Sequence, residues 1–384
     1  MKRVLIIPLA LSILACQPED EQPVDNANPN QYAGIEAALN IDPENLPDYV
    51  NQQFPAFYDN DVFARFDNTP ANNMITNEGA TLGRVLFYDE ELSFNGTVSC
   101  ASCHTPNDAF SDPDQFSTGF EGGLTDVHSM RLANSRFYEG ESFFWDKRAA
   151  TLEAQTTQPI QNEVEMGFDA SNGGIAALIA KMEDLDYYPE LFELAFGDDQ
   201  ITEARMQFAM AQFIRSMISV NSKFDAGYAQ VYNLNAPGNG IRADFPNFTA
   251  QENTGKGLFL DPPNAGGAGC AGCHVPPVFT LDVASRSNGL DAGETVVFKS
   301  PSLKTVEDGQ HFMHDGRFST LLEVVEHYDN GVLDGPALDN RLRPGGQPQQ
   351  LNLTQVEKNA LVAFLETLGD NTLMTDSKYG DPFK

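Results

Sequence analysis

Val98-Ser99-Cys100-Ala101-Ser102-Cys103-His104 is the stretch on which the reading of the whole chain turns. Two cysteines three positions apart, followed at once by a histidine, form the attachment signature of a c-type haem. On the first turns of a helix both thiols face one side and can form thioethers. The next residue then turns its imidazole to the iron. A structural zinc knuckle or a thioredoxin-like redox pair uses the same cysteine spacing. Repetition favours haem: Gly269-Cys270-Ala271-Gly272-Cys273-His274 restates the motif, and the two copies use four of the five cysteines.

The repeat extends upstream of each motif. Glu78-Gly79 leads to Gly83-Arg84-Val85-Leu86-Phe87 and Asp89 before the first, and Glu252 leads to Gly255-Lys256-Gly257-Leu258-Phe259 and Asp261 before the second. Each copy reads as a short amphipathic helix feeding a loop that ends in the haem-binding helix, the plan of a small cytochrome c domain. The expected fold is therefore mainly α, with two cytochrome c-like haem domains and long loops. No segment suggests a β-sheet core. Asn233 to Pro246 is rich in Gly, Pro and Asn and marks a boundary between an N-terminal haem domain, 46–235, and a C-terminal one, 236–384. Between the copies, Glu203 to Val220 carries Met206, Met210, Phe213, Ile214, Met217 and Ile218 at three- and four-residue spacing. That pattern is an amphipathic helix whose methionines read as core rather than as haem ligands.

With 384 residues, 41% of them hydrophobic and 27 of them Phe, the chain can bury a substantial core. A formal charge of -32 argues against nucleic acid or an anionic membrane surface as the main partner and suits a basic redox protein. Lys2 and Arg3 precede the apolar run Val4 to Ala15, too short for a membrane span. The run ends Ser12-Ile13-Leu14-Ala15-Cys16, which resembles a bacterial lipobox. Residues 1–16 are thus expected to be a signal segment, with lipidation of Cys16 and residence on the periplasmic side of a bacterial membrane, touched only through that lipid. A simple signal peptide and a soluble periplasmic protein are the alternative. Residues 17–45, poor in anything to bury, read as a flexible tether.

His104 and His274 supply one strong axial ligand to each haem. The opposite faces decide whether a site carries electrons or binds a small molecule. Candidates for those faces are His128, His311, His314, His327, the methionines and a tyrosine. In Thr320 to Tyr328, Leu321, Val324, Val325 and Tyr328 fall on one helical face, which makes Tyr328 the inward polar group. Its phenol needs a partner: an iron, a haem propionate or the backbone. His327 shares a face with Glu323 and reads as solvated. Spacing alone promotes neither Trp145, the only tryptophan, nor Glu165 to a catalytic role.

Taken together, the two CxxCH sites, Phe144-Trp145-Asp146-Lys147-Arg148-Ala149, the Pro159-Ile160-Gln161-Asn162-Glu163-Val164-Glu165-Met166-Gly167 segment and His314-Asp315-Gly316-Arg317-Phe318 resemble the bacterial di-haem cytochrome c peroxidase/MauG superfamily from about Glu78 to Leu368. The resemblance implies that the first haem is the peroxide site and the second relays electrons. It implies that Trp145 lies between the haems, and that Glu165 is the distal acid-base group with Gln155 beside it. A buried carboxylate of raised pKa can take a proton from bound peroxide and deliver it to the leaving oxygen.

Two departures shape the expectation. Members of the peroxidase branch carry a histidine in the loop after the first motif, where it blocks the peroxide face. Here the loop is Ser117-Thr118-Gly119-Phe120-Glu121-Gly122-Gly123, and His128 lies further on, either as a distal ligand or as lining between the haems. At the second haem the position of the axial methionine falls on Tyr328, as in the MauG branch. The family's inter-haem calcium is a weak expectation, because its asparagine is replaced near His128 and its loop reads Asp308-Gly309-Gln310-His311. The expected activity is reduction of hydrogen peroxide by electrons from a small cytochrome c or cupredoxin-type protein, and a homodimer is compatible with it. The alternatives are a MauG-like enzyme that oxidatively modifies a protein and a non-enzymatic di-haem electron carrier.

Overall fold

Thr76 and Thr249 start the two helices that precede the haem motifs. The Thr76 hydroxyl accepts from Gly79 N and opens the helix Asn77–Tyr88; Thr249 forms a capping box with Glu252 and opens Ala250–Leu260. Each helix crosses a later one, Glu203–Ser216 and Gln355–Glu366 respectively, and in both pairs a glycine sits at the crossing. A Cβ on Gly83 would lie 2.0 Å from Ala209 O, and one on Gly255 would lie 1.8 Å from Ala360 O. Only glycine permits that approach, so the sequence repeat is also a packing repeat. Phe213 and Phe364 occupy matching places beside these glycines.

The computed structural model describes residues 31–140 and 142–384. The signal segment, Cys16 and residues 17–30 of the expected tether lie outside the described residues. Helices and long loops dominate, as expected. The strands among the described residues are one short antiparallel ribbon, His274–Val275 with Thr280–Leu281. The methionine stripe is core: Met206, Met210, Phe213 and Met217 are at most 1% exposed. They pack with Leu82, Val85, Leu86 and Phe87 of the crossing helix. Around the second motif Phe224, Phe259, Phe279 and Phe364 form the corresponding aromatic centre.

Three expectations are corrected. Residues 33–45 are not tether, because Ala33–Ala38 is a helix whose Ile35, with Leu39 just after it, is buried beside Tyr187 and Leu191. Glu190 pins its start by accepting from Gly34 N and Ile35 N at 2.9 and 2.8 Å. The last residues do not stay with the second motif. Tyr379 is buried among Tyr49, Phe110 and Phe213, and Leu39 bridges Phe383, so the C-terminus closes over the half that holds the first motif. His327 is buried, not solvated. The helix Leu321–Glu326 widens into a π turn over His327–Gly331, which rotates the imidazole inward, where Nε2 lies 3.1 Å from Asn288 O.

Candidate functional site

The first motif forms the single helical turn Cys100–Cys103, capped by Ser99 and Ser102. His104 Nδ1 donates to Phe110 O at 3.0 Å, which leaves Nε2 for a metal. Phe110 takes a left-handed φ of 58°, and Phe279 after the second motif does the same at 52°, so both loops fold back on their histidines alike. At the second motif, a 3-10 turn Cys270–Gly272, His274 Nδ1 is buried without a hydrogen bond of normal geometry, although the Phe279 carbonyl is its neighbour. Burial pushes the Cys100 thiol up to about 12 and Cys103 up to about 11, and the charge of Glu165 reaches both.

Glu165 is held by the chain around it. Asn162 Oδ1 accepts from Val164 N and Glu165 N at 2.8 and 3.0 Å, and Phe120 N donates to Glu165 O at 3.0 Å. The Ser117–Gly123 loop thus lies directly on the Glu165 segment, so closely that a Cβ at Gly119 would strike Val164 O. Burial raises the Glu165 carboxyl above the usual range, with Arg148 opposing it. Gln155 lies in the helix Leu152–Thr156, and it is not hydrogen-bonded to Glu165. Glu153 of that helix forms a buried pair with Arg215, at 2.5 Å to NH1 and 3.1 Å to NH2, which locks the Gln155 helix onto Glu203–Ser216.

His128 belongs between the two sites. Its Nδ1 donates to Gln115 O at 3.1 Å and its Nε2 meets Ser111 Oγ at 3.0 Å, on the loop that carries Phe110. Burial, ahead of the charges of Arg131, His311 and His104, pulls it down to about 4, so it is a neutral imidazole with both nitrogens engaged. Trp145 Nε1 donates to His128 O at 2.7 Å.

A cavity of 420 Å³ opens beside the second motif, within the range of cofactor sites. Cys270, Cys273 and His274 form part of its wall, and Tyr328, Met313, Trp145 and Lys299 also line it. Leu321, Val324, Val325 and Tyr328 all face it, as their spacing predicts. Asn288 Nδ2 stands 3.5 Å from Tyr328 Oη and 3.3 Å from Met313 Sδ. Burial raises the Tyr328 phenol well above its ordinary value.

Sequence reasoning missed Asn288 and Lys299, and it did not single out Met313 among the candidate methionines. Nothing in the local pattern flags Asn288. Lys299, in Val296-Val297-Phe298-Lys299, is a lone cation ending an apolar run, and that signal was present. It is buried, with Nζ 3.6 Å from Met130 Sδ and 4.8 Å from the Tyr138 ring centre, and burial lowers it to about 8.

Comparison with known proteins matches this geometry to a family. Residues 77–232 fit the model of the di-haem cytochrome c peroxidase family. The methylamine utilization protein MauG of Methylophilus methylotrophus is 30% identical over 326 residues, 81% of this chain and 89% of that protein. The chain belongs to the di-haem cytochrome c peroxidase/MauG family. Another family member, the cytochrome c551 peroxidase of Nitrosomonas europaea, is 30% identical over 75% of this chain and 79% of its own length. The crystal structure of a MauG-like protein associated with microbial copper homeostasis superposes with a TM-score of 0.64 at 27% identity, covering 88% of this chain and 98% of the other.

Members of this di-haem family bind two c-type haems, and the residues here fit that cofactor. The cavity is mainly apolar, with Phe259, Leu281, Phe298 and Phe312 on its wall, which suits a macrocycle. Arg131 Nε is buried at the same wall without a partner, an orphaned donor that a propionate would satisfy. Cys270, Cys273, His274 and Tyr328, all on the cavity wall, would hold the group.

Proposed function

We propose that this protein is a di-haem c-type peroxidase that reduces hydrogen peroxide at the Cys100–His104 site. Electrons come from a small cytochrome c or cupredoxin-type protein by way of the Cys270–His274 site. The enzyme works on the periplasmic side of a bacterial membrane, anchored by a lipid on Cys16. The observation that carries the reading is the loop Ser117–Gly123, which is fastened to Glu165 through Phe120 and holds no histidine, while His128 has both ring nitrogens engaged elsewhere. The face beside Glu165 therefore has no imidazole to close it.

Bound haem supplies an iron centre that accepts and passes on electrons. The side chains do the rest. Glu165, poised by burial to hold or release a proton, takes one from the near oxygen of peroxide and returns it to the far oxygen as water leaves. Gln155, donor and acceptor at once, orients the peroxide beside it. Overall, one peroxide takes up two electrons and two protons and gives two waters. Trp145 lies between the sites, and His274 and Tyr328 would hold the electron-relay haem.

A second reading is a MauG-like enzyme that withdraws its electrons from a protein side chain. Tyr328 in the cavity wall favours it, since an oxygen ligand lowers the potential of the relay site. The test is to record EPR and optical spectra of the oxidised holoprotein and add peroxide without reductant. Immediate loss of a high-spin ferric signal is expected. Two low-spin haems that stay inert until half-reduced would sink the open-face reading. Stoichiometric oxidation of a reduced small cytochrome c then separates peroxidase from protein-modifying activity.

A further inference from the structure

Asp291, Glu294 and His314 each present one ligand atom, and these atoms all lie within 4.8 Å of one another. His314 is fixed on every side: its ring stacks on Phe298 at 3.9 Å and 10°, meets the Trp145 ring at 6.4 Å edge-on, and its carbonyl accepts from His128 N at 2.9 Å. Its ring nitrogens make no hydrogen bond among the described residues. Glu294 is anchored through its backbone, where its carbonyl accepts from Ala337 N at 2.9 Å. Its side chain is half-buried beside the Gly289 backbone, and its Oε2 atom is sealed from solvent without a hydrogen bond of normal geometry. A buried acceptor of this kind costs free energy unless something fills its lone pairs.

The surrounding charge points to a cation. Asp291 and Asp315 both repel Glu294, and the compensating cation in the cluster is Arg317, which already bridges Asp291 at 3.0 Å and Asp315 at 2.6 Å. Three carboxylates thus share one guanidinium. One imidazole with two carboxylates is a donor set for a divalent transition ion; calcium and magnesium take oxygen ligands and leave imidazole unused.

We infer that Asp291, Glu294 and His314 form a binding site for a divalent transition-metal ion, separate from both haem motifs and bordering the second. Three protein ligands leave a coordination position open to water. Through His314 it sits one ring away from Trp145 and at the edge of the second cavity, where His314 is part of the wall.

The test uses the untagged, metal-stripped holoprotein and isothermal titration with Zn2+ alone and with Ca2+ alone. One tight Zn2+ per chain is expected, with Ca2+ far weaker, and Glu294→Gln should weaken Zn2+ by at least about tenfold while both haems stay attached. No Zn2+ uptake, or uptake that Glu294→Gln leaves unchanged, overturns the inference, as does Ca2+ binding as tightly as Zn2+. Should the variant fail to fold, X-ray absorption at the zinc edge of the wild-type protein decides. A shell of oxygen and nitrogen with a single imidazole supports the site, and sulfur in the shell or an all-oxygen shell overturns it.

Discussion

Trp145 Nε1 donates a 2.7 Å hydrogen bond to the carbonyl of His128, and that bond fixes the only tryptophan between the two haem motifs. His128 in turn leans on Ser111, next to the Phe110 whose carbonyl orients His104. The indole also lines the cavity of the second motif. One short chain of contacts therefore runs from the first histidine to the second cavity.

Replacing Trp145 with Phe removes both the anchor and the most oxidisable ring along this path. Both haems should remain attached, and electron transfer from the second site to the first should slow markedly. Stopped-flow mixing of the half-reduced protein with peroxide measures it; an unchanged rate would show that electrons bypass the indole.

Under the proposed function, Glu165 should set an acid limb in the peroxide reaction. Its carboxyl titrates above the ordinary range because it is buried, so the base form is lost as pH falls through that raised value, and the rate should fall with it. Glu165→Gln should lower the rate by about 100-fold or more and flatten the acid limb. Stopped-flow peroxide kinetics across pH would contradict the assignment if the limb survived in the variant.

Tyr328 faces the second cavity with Met313 close by, and Asn288 touches both. Tyr328→Phe should change the optical and EPR spectrum of one haem only. If the spectrum converts to that of a histidine–methionine pair, Met313 has taken the vacated place. An unaltered spectrum would remove Tyr328 from the iron.

The Glu153–Arg215 pair is a stability test. Glu153→Gln leaves a guanidinium buried without its counter-charge and should cost about 3 kcal/mol in denaturant unfolding of the holoprotein. Burial acts to raise the Glu153 carboxyl, but the hydrogen bonds and charge of Arg215 outweigh it, and the folded value lies below that of an ordinary glutamate. The pair's contribution is therefore complete above the unfolded value and is lost as pH drops toward the folded one. A pH-independent difference between wild type and variant in that acid window would rule the pair out.

Local patterns carried much of this. The duplicated CxxCH and the helix that precedes each copy were legible, because both are written in short segments; that the glycine of each helix sits at a crossing was not. The methionine stripe was legible as core for the same reason: helical periodicity is local. His327 was not legible, since a π turn shifts the face by a fraction of a turn that no heptad count anticipates. The ordering of residues 32–45 and the return of Tyr379 to the first half depend on partners far away in the chain, Glu190 and Tyr49 among them.

The sequence by itself determined the duplicated CxxCH motif, the helical class and the family features around Trp145 and Glu165, because each rests on residues within a turn or a loop of one another. Only the tertiary structure decided that His128 is engaged on both nitrogens, that the Ser117–Gly123 loop lies against Glu165, and that Asp291, Glu294 and His314 converge. Those relations join segments tens of residues apart, and packing of the buried core is what brings them together.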